Sequence, residues 1–155
     1  PEAVVPPAGA RVMDLQEPIN KMSKSADSVA GTIYVLDDPA AITKKIKRAV
    51  TDTDNEVRYD VAAKPGVSNL LSILGAATGR TAADVAEGYE QYGPLKADCA
   101  EAVVELLRPI QERYRELEAD SGAMVEILAK GAGKAQAVSS VVLDRAKRNI
   151  GLLPR

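Results

Sequence analysis

The chain has 155 residues, 46% of them hydrophobic and 27% charged, a globular balance whose apolar side is Ala, Val, Leu and Ile with no Phe and no Trp, which suits helix-on-helix packing. A formal net charge of -2 argues against nucleic-acid affinity spread over the whole surface and leaves any RNA contact to local basic faces. The absence of histidine removes the commonest general base, the commonest metal ligand and every Ser-His or Cys-His nucleophile.

The chain opens at Pro1 in what reads as the middle of a polypeptide, so it is expected to be a piece of a longer protein. It has no signal-like start and no apolar run of about 18 residues, so no membrane partner is expected. Pro1, Pro6, Pro7 and Gly9 mark residues 1–10 as a connecting loop, with Gly9 a turn glycine. Residues 11–15 alternate polar and apolar as a short strand does. A loop follows from Gln16 to about Gly31, then a brief extended piece over residues 32–36.

Asp37-Asp38-Pro39 supplies an N-cap and a proline at the first helical position. In the helix it starts, Ile42, Ile46 and Ala49 or Val50 form the buried stripe, while Lys44, Lys47 and Arg48 project elsewhere. After a polar link, a second helix runs from Gly66 to about Thr78, with Val67, Leu70, Leu71 and Leu74 inward. Gly75 and Gly79 are expected to weaken and end it.

Thr81 caps a short helix to about Gly88. Pro94 begins the longest helix, to about Asp120, with Val103, Leu107, Ile110, Tyr114 and Leu117 as its seam and a kink expected at Pro109. Cys99 falls in this pattern as a buried structural thiol, and one cysteine excludes an internal disulfide or a Cys-rich zinc site, consistent with a reducing cytosol. Asp120-Ser121-Gly122 breaks the pattern before a helix holding Val125 and Leu128. The last helix is expected from near Gly133 to Ile150, with Ala135, Val138, Val142 and Ala146 inward and Gly151 as its stop.

Between the punctuated approach and this helical remainder stands Lys21-Met22-Ser23-Lys24-Ser25. An ammonium is a compact point charge suited to polyphosphate. A mobile loop can bring two of them onto phosphates whose charge changes during a reaction. Taken without its context, such a Lys/Ser segment reads as a solvated surface loop.

The pentapeptide matches the second signature of class I aminoacyl-tRNA synthetases, and the chain around it, from Gly9-Ala10-Arg11-Val12-Met13-Asp14-Leu15 to Ser25, resembles the tryptophanyl-tRNA synthetase version. Three later blocks carry the same resemblance: Leu36-Asp37-Asp38-Pro39 running into Lys44-Lys45-Ile46-Lys47, Lys64-Pro65-Gly66-Val67-Ser68-Asn69-Leu70-Leu71, and Leu106-Leu107-Arg108-Pro109-Ile110-Gln111-Glu112-Arg113-Tyr114. The resemblance covers nearly the whole chain, in order. It implies a mainly α fold, a helical bundle of the anticodon-binding type attached to the C-terminal remnant of a Rossmann-like α/β nucleotide-binding domain. Residues 1–38 would be the tail of that catalytic domain and residues 39–155 the helical tRNA-binding domain. The family's first signature, a His-containing motif, and most of its sheet are missing from this chain.

The implied activity of the whole enzyme is ATP-dependent activation of L-tryptophan and transfer to tRNA(Trp), in a cytoplasmic homodimer. ATP would arrive with Mg2+ as substrate, and no protein-bound metal is expected. Lys21 and Lys24 would be catalytic, neutralising the departing pyrophosphate, with Ser23 and Ser25 as hydroxyl donors, Met22 closing over the adenine side and the Val12 backbone contacting adenine. Arg108, Arg113, Arg115, Lys134 and Arg145 are candidate tRNA contacts, and Tyr89, Tyr92 and Tyr114 candidate stacking residues, although Tyr114 sits at core spacing. The fragment alone is expected to be inactive. Two other readings stand beside this one: a fragment of the sister tyrosyl-tRNA synthetase, whose helical region usually lacks the block at residues 106–114, and a stand-alone, non-catalytic RNA-binding or helical interaction module.

Overall fold

The computed structural model describes residues 2–6, 9–25 and 29–152. Pro1 and Pro7 of the expected connecting loop lie outside the described residues. Among the described residues, five α-helices follow a 3-10 turn at Val29–Gly31: α1 (Pro39–Lys47), α2 (Pro65–Thr78), α3 (Ala82–Ala86), α4 (Tyr92–Ala119) and α5 (Ser121–Asn149). The chain divides into two compact units, Pro1–Gln111 and Glu112–Arg155.

In the first unit α1 and α3 start where their local chemistry directs. The Asp38 carboxylate accepts the Ala41 N–H, and Pro39 occupies the first turn, where its missing N–H is no loss. Thr81 caps α3 in the same way, through Asp84 N. Gly79 ends α2 in the left-handed conformation, φ 72°, with its N–H on the Gly75 carbonyl.

The centre of this unit is α2, buried from Gly66 to Leu71 and again from Ile73 to Gly75, on nearly every face. A helix buried on nearly every face must be surrounded by other elements. Ile42 and Ile46 from α1, Val85 from α3, and Leu95, Cys99 and Val103 from α4 complete the core. Leu15, 1% exposed, joins the same core from the approach segment, so the packing runs unbroken across residue 39.

Gly75 is no weak point, because a Cβ there would stand 2.7 Å from the Arg80 carbonyl oxygen. The close approach of the chain leaving α2 needs that glycine. Likewise α4 starts two residues before Pro94 and runs through Pro109.

Several expectations need correction. Residues 11–15 form no strand: among the described residues they make one isolated antiparallel bridge, Met13 to Lys21. Asp14 turns the chain immediately, its carboxylate accepting the N–H groups of Gln16 and Glu17. The extended piece expected over residues 32–36 is cut short, since Asp37 accepts the Tyr34 N–H and residues 35–36 turn.

In the second unit, the two helices expected after Asp120 are one, α5. Asp120 caps it through Ala123 N, and Gly131 and Gly133 do not break it. Each glycine costs about 1 kcal/mol relative to alanine, which flanking Ala, Leu and Lys residues sustain. The inward stripe assigned to α5 is also corrected, because no described residue of α5 is buried and Val138 is 73% exposed. Along α4 the seam is buried at Val103, but Ile110 and Tyr114 are exposed. Periodicity marks a face that can be buried and says nothing about what covers it.

Candidate phosphate-binding loop

The lysine-bearing loop is built on a tight return of the chain. Asp14 holds the first turn, Asn20 N donates to the Glu17 carbonyl at 2.8 Å, and the chain comes back antiparallel to itself. Asp14 N donates to Asn20 O at 2.9 Å and Met22 N to Val12 O at 3.0 Å, which sets Lys21 directly opposite Met13. Val12, Lys21 and Met22 are therefore brought together at one end of the return. Val12 and Met22 are half-buried and pack on the hydrophobic core.

Further along, the loop is held by its backbone and presents its side chains outward. Ser23 O accepts the Thr32 hydroxyl at 3.0 Å, Lys24 O the Tyr34 hydroxyl at 3.5 Å, and Ser25 N donates to Ser23 Oγ at 3.3 Å. Lys21, Ser23, Lys24 and Ser25 are exposed. Among the described residues, no carboxylate forms an ion pair with Lys21 or Lys24. Two uncommitted ammonium groups on an anchored backbone suit an anionic ligand.

The exit from the loop is fastened to α1. Lys45 Nζ lies 2.6 Å from Asp37 Oδ2 and 2.8 Å from Thr32 O, and stands 5.1 Å from the centre of the Tyr34 ring. Gly31 is required beneath it: a Cβ there would lie 2.0 Å from the Asp14 carboxylate, which its two turn hydrogen bonds keep in place. On the outer side of α1, Lys44, Lys47 and Arg48 are exposed.

Two side-chain amides hold the segments on either side of the loop. Asn69, on α2, accepts from Met13 N at 2.9 Å and donates to Met13 O at 2.8 Å. Gln111, on α4, donates to Val35 O at 2.7 Å and Asp37 O at 2.9 Å. Sequence reasoning gave neither a role. Both lie inside stretches that carry the family resemblance, residues 64–71 and 106–114, and that position was the available signal.

The residues assigned to RNA are spread over both units. Arg108 pairs with Glu105 in the first unit, and in the second Arg113 pairs with Glu116 at 2.8 Å, while Arg115, Lys134 and Arg145 are exposed. Tyr114, 43% exposed, donates to Glu118 Oε1, and half-buried Tyr89 donates to Asp98 Oδ2 at 2.7 Å. Tyr92 is corrected: it is 7% exposed, and its hydroxyl is committed to Asp52, Asp54 and Lys64, so its ring is unavailable for stacking on a base. Cys99 is buried as expected, and burial pushes its thiol up to about 12.

The family described as tRNA synthetases class I (W and Y) matches residues 1–134 of this chain. The chain belongs to that family. Tryptophan–tRNA ligase 1 of Streptomyces coelicolor is 51% identical over 154 residues, which cover 99% of this chain and 46% of the relative. The tryptophan–tRNA ligase of Mycobacterium leprae is 47% identical over 157 residues, covering 100% of this chain and again 46% of the relative. The crystal structure of tryptophanyl-tRNA synthetase from Mycoplasma pneumoniae superimposes with a TM-score of 0.82 at 31% identity, over 93% of this chain and 44% of that one. The chain thus spans about half the length of the synthetases it matches, and its helical architecture is that of a class I synthetase. No helix among the described residues is long and apolar enough to cross a membrane.

Proposed function

We propose that this chain is the C-terminal portion of a tryptophan–tRNA ligase and supplies the phosphate loop for tryptophan activation. In that reaction the substrate carboxylate attacks the α-phosphate of ATP, a new P–O bond forms, and the bond to pyrophosphate breaks. Negative charge grows on the leaving group. Lys21 and Lys24, which draw closer to it in the transition state than in the ground state, lower the barrier rather than merely tightening ATP binding.

The observation that carries this reading is the pair of exposed ammonium groups on a loop whose backbone, and not its lysines, is tied to the core. Ser23 and Ser25 offer hydroxyls beside them, Met22 and the Val12 backbone would face the adenine, and Mg2+ would come with the nucleotide. Residues 1–38 would be the tail of the catalytic domain, and residues 39–155 would bind tRNA(Trp), with Arg108, Arg113, Arg115, Lys134 and Arg145 as phosphate contacts. The working enzyme would be a cytoplasmic homodimer. Tryptophan is preferred to tyrosine because the relatives at 47–51% identity are tryptophan–tRNA ligases.

The test is Lys24→Ala in the full-length enzyme. Single-turnover adenylate formation is expected to slow at least tenfold, since a charged hydrogen bond is worth roughly 1.5–3 kcal/mol, with tryptophan affinity nearly unchanged. Equal losses in both would refute a transition-state role. The isolated chain should show no tryptophan-dependent pyrophosphate exchange.

A further inference from the structure

The antiparallel return at Met13 and Lys21 uses the polar groups of the residues beside Met13, not its own. Asp14 donates to Asn20 O, and Val12 accepts from Met22 N. In an antiparallel pair of this kind, the N–H and C=O of the central residue point to the opposite edge, where a sheet would offer them another strand. Here the Asn69 amide meets both, at 2.9 and 2.8 Å. One side chain stands in for a neighbouring strand.

Asn69 is itself held rigidly. It is 5% exposed on the buried helix α2, and its neighbour Ser68 accepts the Asp60 N–H at 2.9 Å. A side chain that ties such a helix to both main-chain groups of Met13 fixes which edge of the chain at Met13 is left to pair with residues 20–22, because a one-residue shift of Met13 would break both bonds. A one-residue slip turns every side chain to the other face, and Lys21, opposite Met13, would turn away with it.

We infer that Asn69 is a positioning residue for the activation step, locking the register of the Met13–Lys21 return so that the Lys21 ammonium points to the face on which the phosphates bind. The inference rests on the proposed function. It differs from that reading in placing part of the rate in a neutral, buried side chain that touches no substrate.

The experiment is a double-mutant cycle in the full-length enzyme between Asn69→Ala and Lys21→Ala, read by single-turnover adenylate formation at saturating tryptophan and ATP. Asn69→Ala alone is expected to slow the step roughly tenfold, as misplacement of a reacting group does, with tryptophan affinity unchanged. In the Lys21→Ala background the same substitution should cost about twofold or less, because its effect acts through that lysine. An undiminished loss in that background overturns the inference, and so does an Asn69→Ala enzyme at full speed. Lys21→Ala at full speed would instead remove the reading beneath it, and the inference with it.

Val103→Ala, a core change in α4 away from the return, lowers the melting temperature without slowing the step. A rate loss in Val103→Ala matching that of Asn69→Ala would reduce Asn69 to a general stabiliser and overturn the inference.

Discussion

Lys64 and Tyr92 meet at the start of two helices: the Lys64 ammonium, 2% exposed, lies 3.0 Å from the Tyr92 hydroxyl, and both groups share Asp52 and Asp54. Lys64 immediately precedes α2 and Tyr92 opens α4, so the cluster joins the ends of the two helices through the link at residues 52–56. Lys64 and Tyr92 each lack the environment to stand alone. A buried ammonium needs carboxylates, and a buried hydroxyl needs an acceptor.

The cluster should respond unequally to loss of its members. Asp52 and Asp54 keep 30% and 54% of their side chains in solvent, so without Lys64 they can rehydrate, whereas Lys64 without them is a buried, unpaired charge. The Asp52→Asn/Asp54→Asn double variant should therefore lose more stability than Lys64→Met. Thermal melts should show a loss on the order of 5–10 °C for Lys64→Met and more for the double variant.

The pH dependence follows from the same contacts. Asp52 first, then the Lys64 ammonium and the Glu56 N–H, hold the Asp54 carboxyl well below the ordinary 3.8. A depressed carboxyl contributes stability that is complete above 3.8 and lost as the pH falls towards its folded value. Burial pulls Lys64 down, but Asp54, Tyr92 and Asp52 outweigh it and hold the ammonium above 10.5. Its contribution is complete below 10.5 and lost at higher pH. Denaturation followed against pH should show Asp54→Asn and Lys64→Met each flattening both limbs, because each group holds the other in its charged form.

Cys99 should be inert while the protein is folded. Its sulfur is buried, 3.7 Å from the Leu70 carbonyl, and burial raises the thiol to about 12, so little thiolate exists at neutral pH. Alkylation by iodoacetamide at pH 8 should be roughly a hundredfold slower or more than in denaturant. A native rate equal to the denatured one would mean that α2 and α4 separate readily.

Two glycines should answer alanine with opposite signs. A Cβ on Gly66 would lie 2.1 Å from the Val50 carbonyl oxygen, a backbone atom that cannot swing aside, so Gly66→Ala should destabilise by about 1–3 kcal/mol. That exceeds the gain of about 1 kcal/mol that alanine brings to a helix. Gly133 on α5 has nothing within 4 Å of such a Cβ, so Gly133→Ala should raise helix stability by about 0.5–1 kcal/mol. Urea denaturation of both variants measures the two signs.

Helix starts and stops were legible because their signals are local. Asp38-Pro39, Thr81 and Gly79 sit within a turn of the groups they satisfy, and all three act as their residue types imply. The lysine loop was legible from its residue types and from the family-like stretches that follow it at residues 36–47, 64–71 and 106–114. The strand at residues 11–15 was misread because alternation reports a pleated face and not a partner. The α5 stripe was misread for a related reason, since an apolar repeat does not name its cover.

Taken alone, the order of residues determined the synthetase family, the helix content and the five-residue loop, because each depends on residue types and their order along the chain. Only the tertiary structure decided that Asn69 grips Met13 and Gln111 grips Val35 and Asp37, or that Tyr92 serves a buried lysine rather than an exposed face. Those bonds join groups tens of residues apart through side-chain amides and hydroxyls. Such pairings leave no periodic trace in the sequence, since any amide could satisfy any backbone group until packing brings one to it.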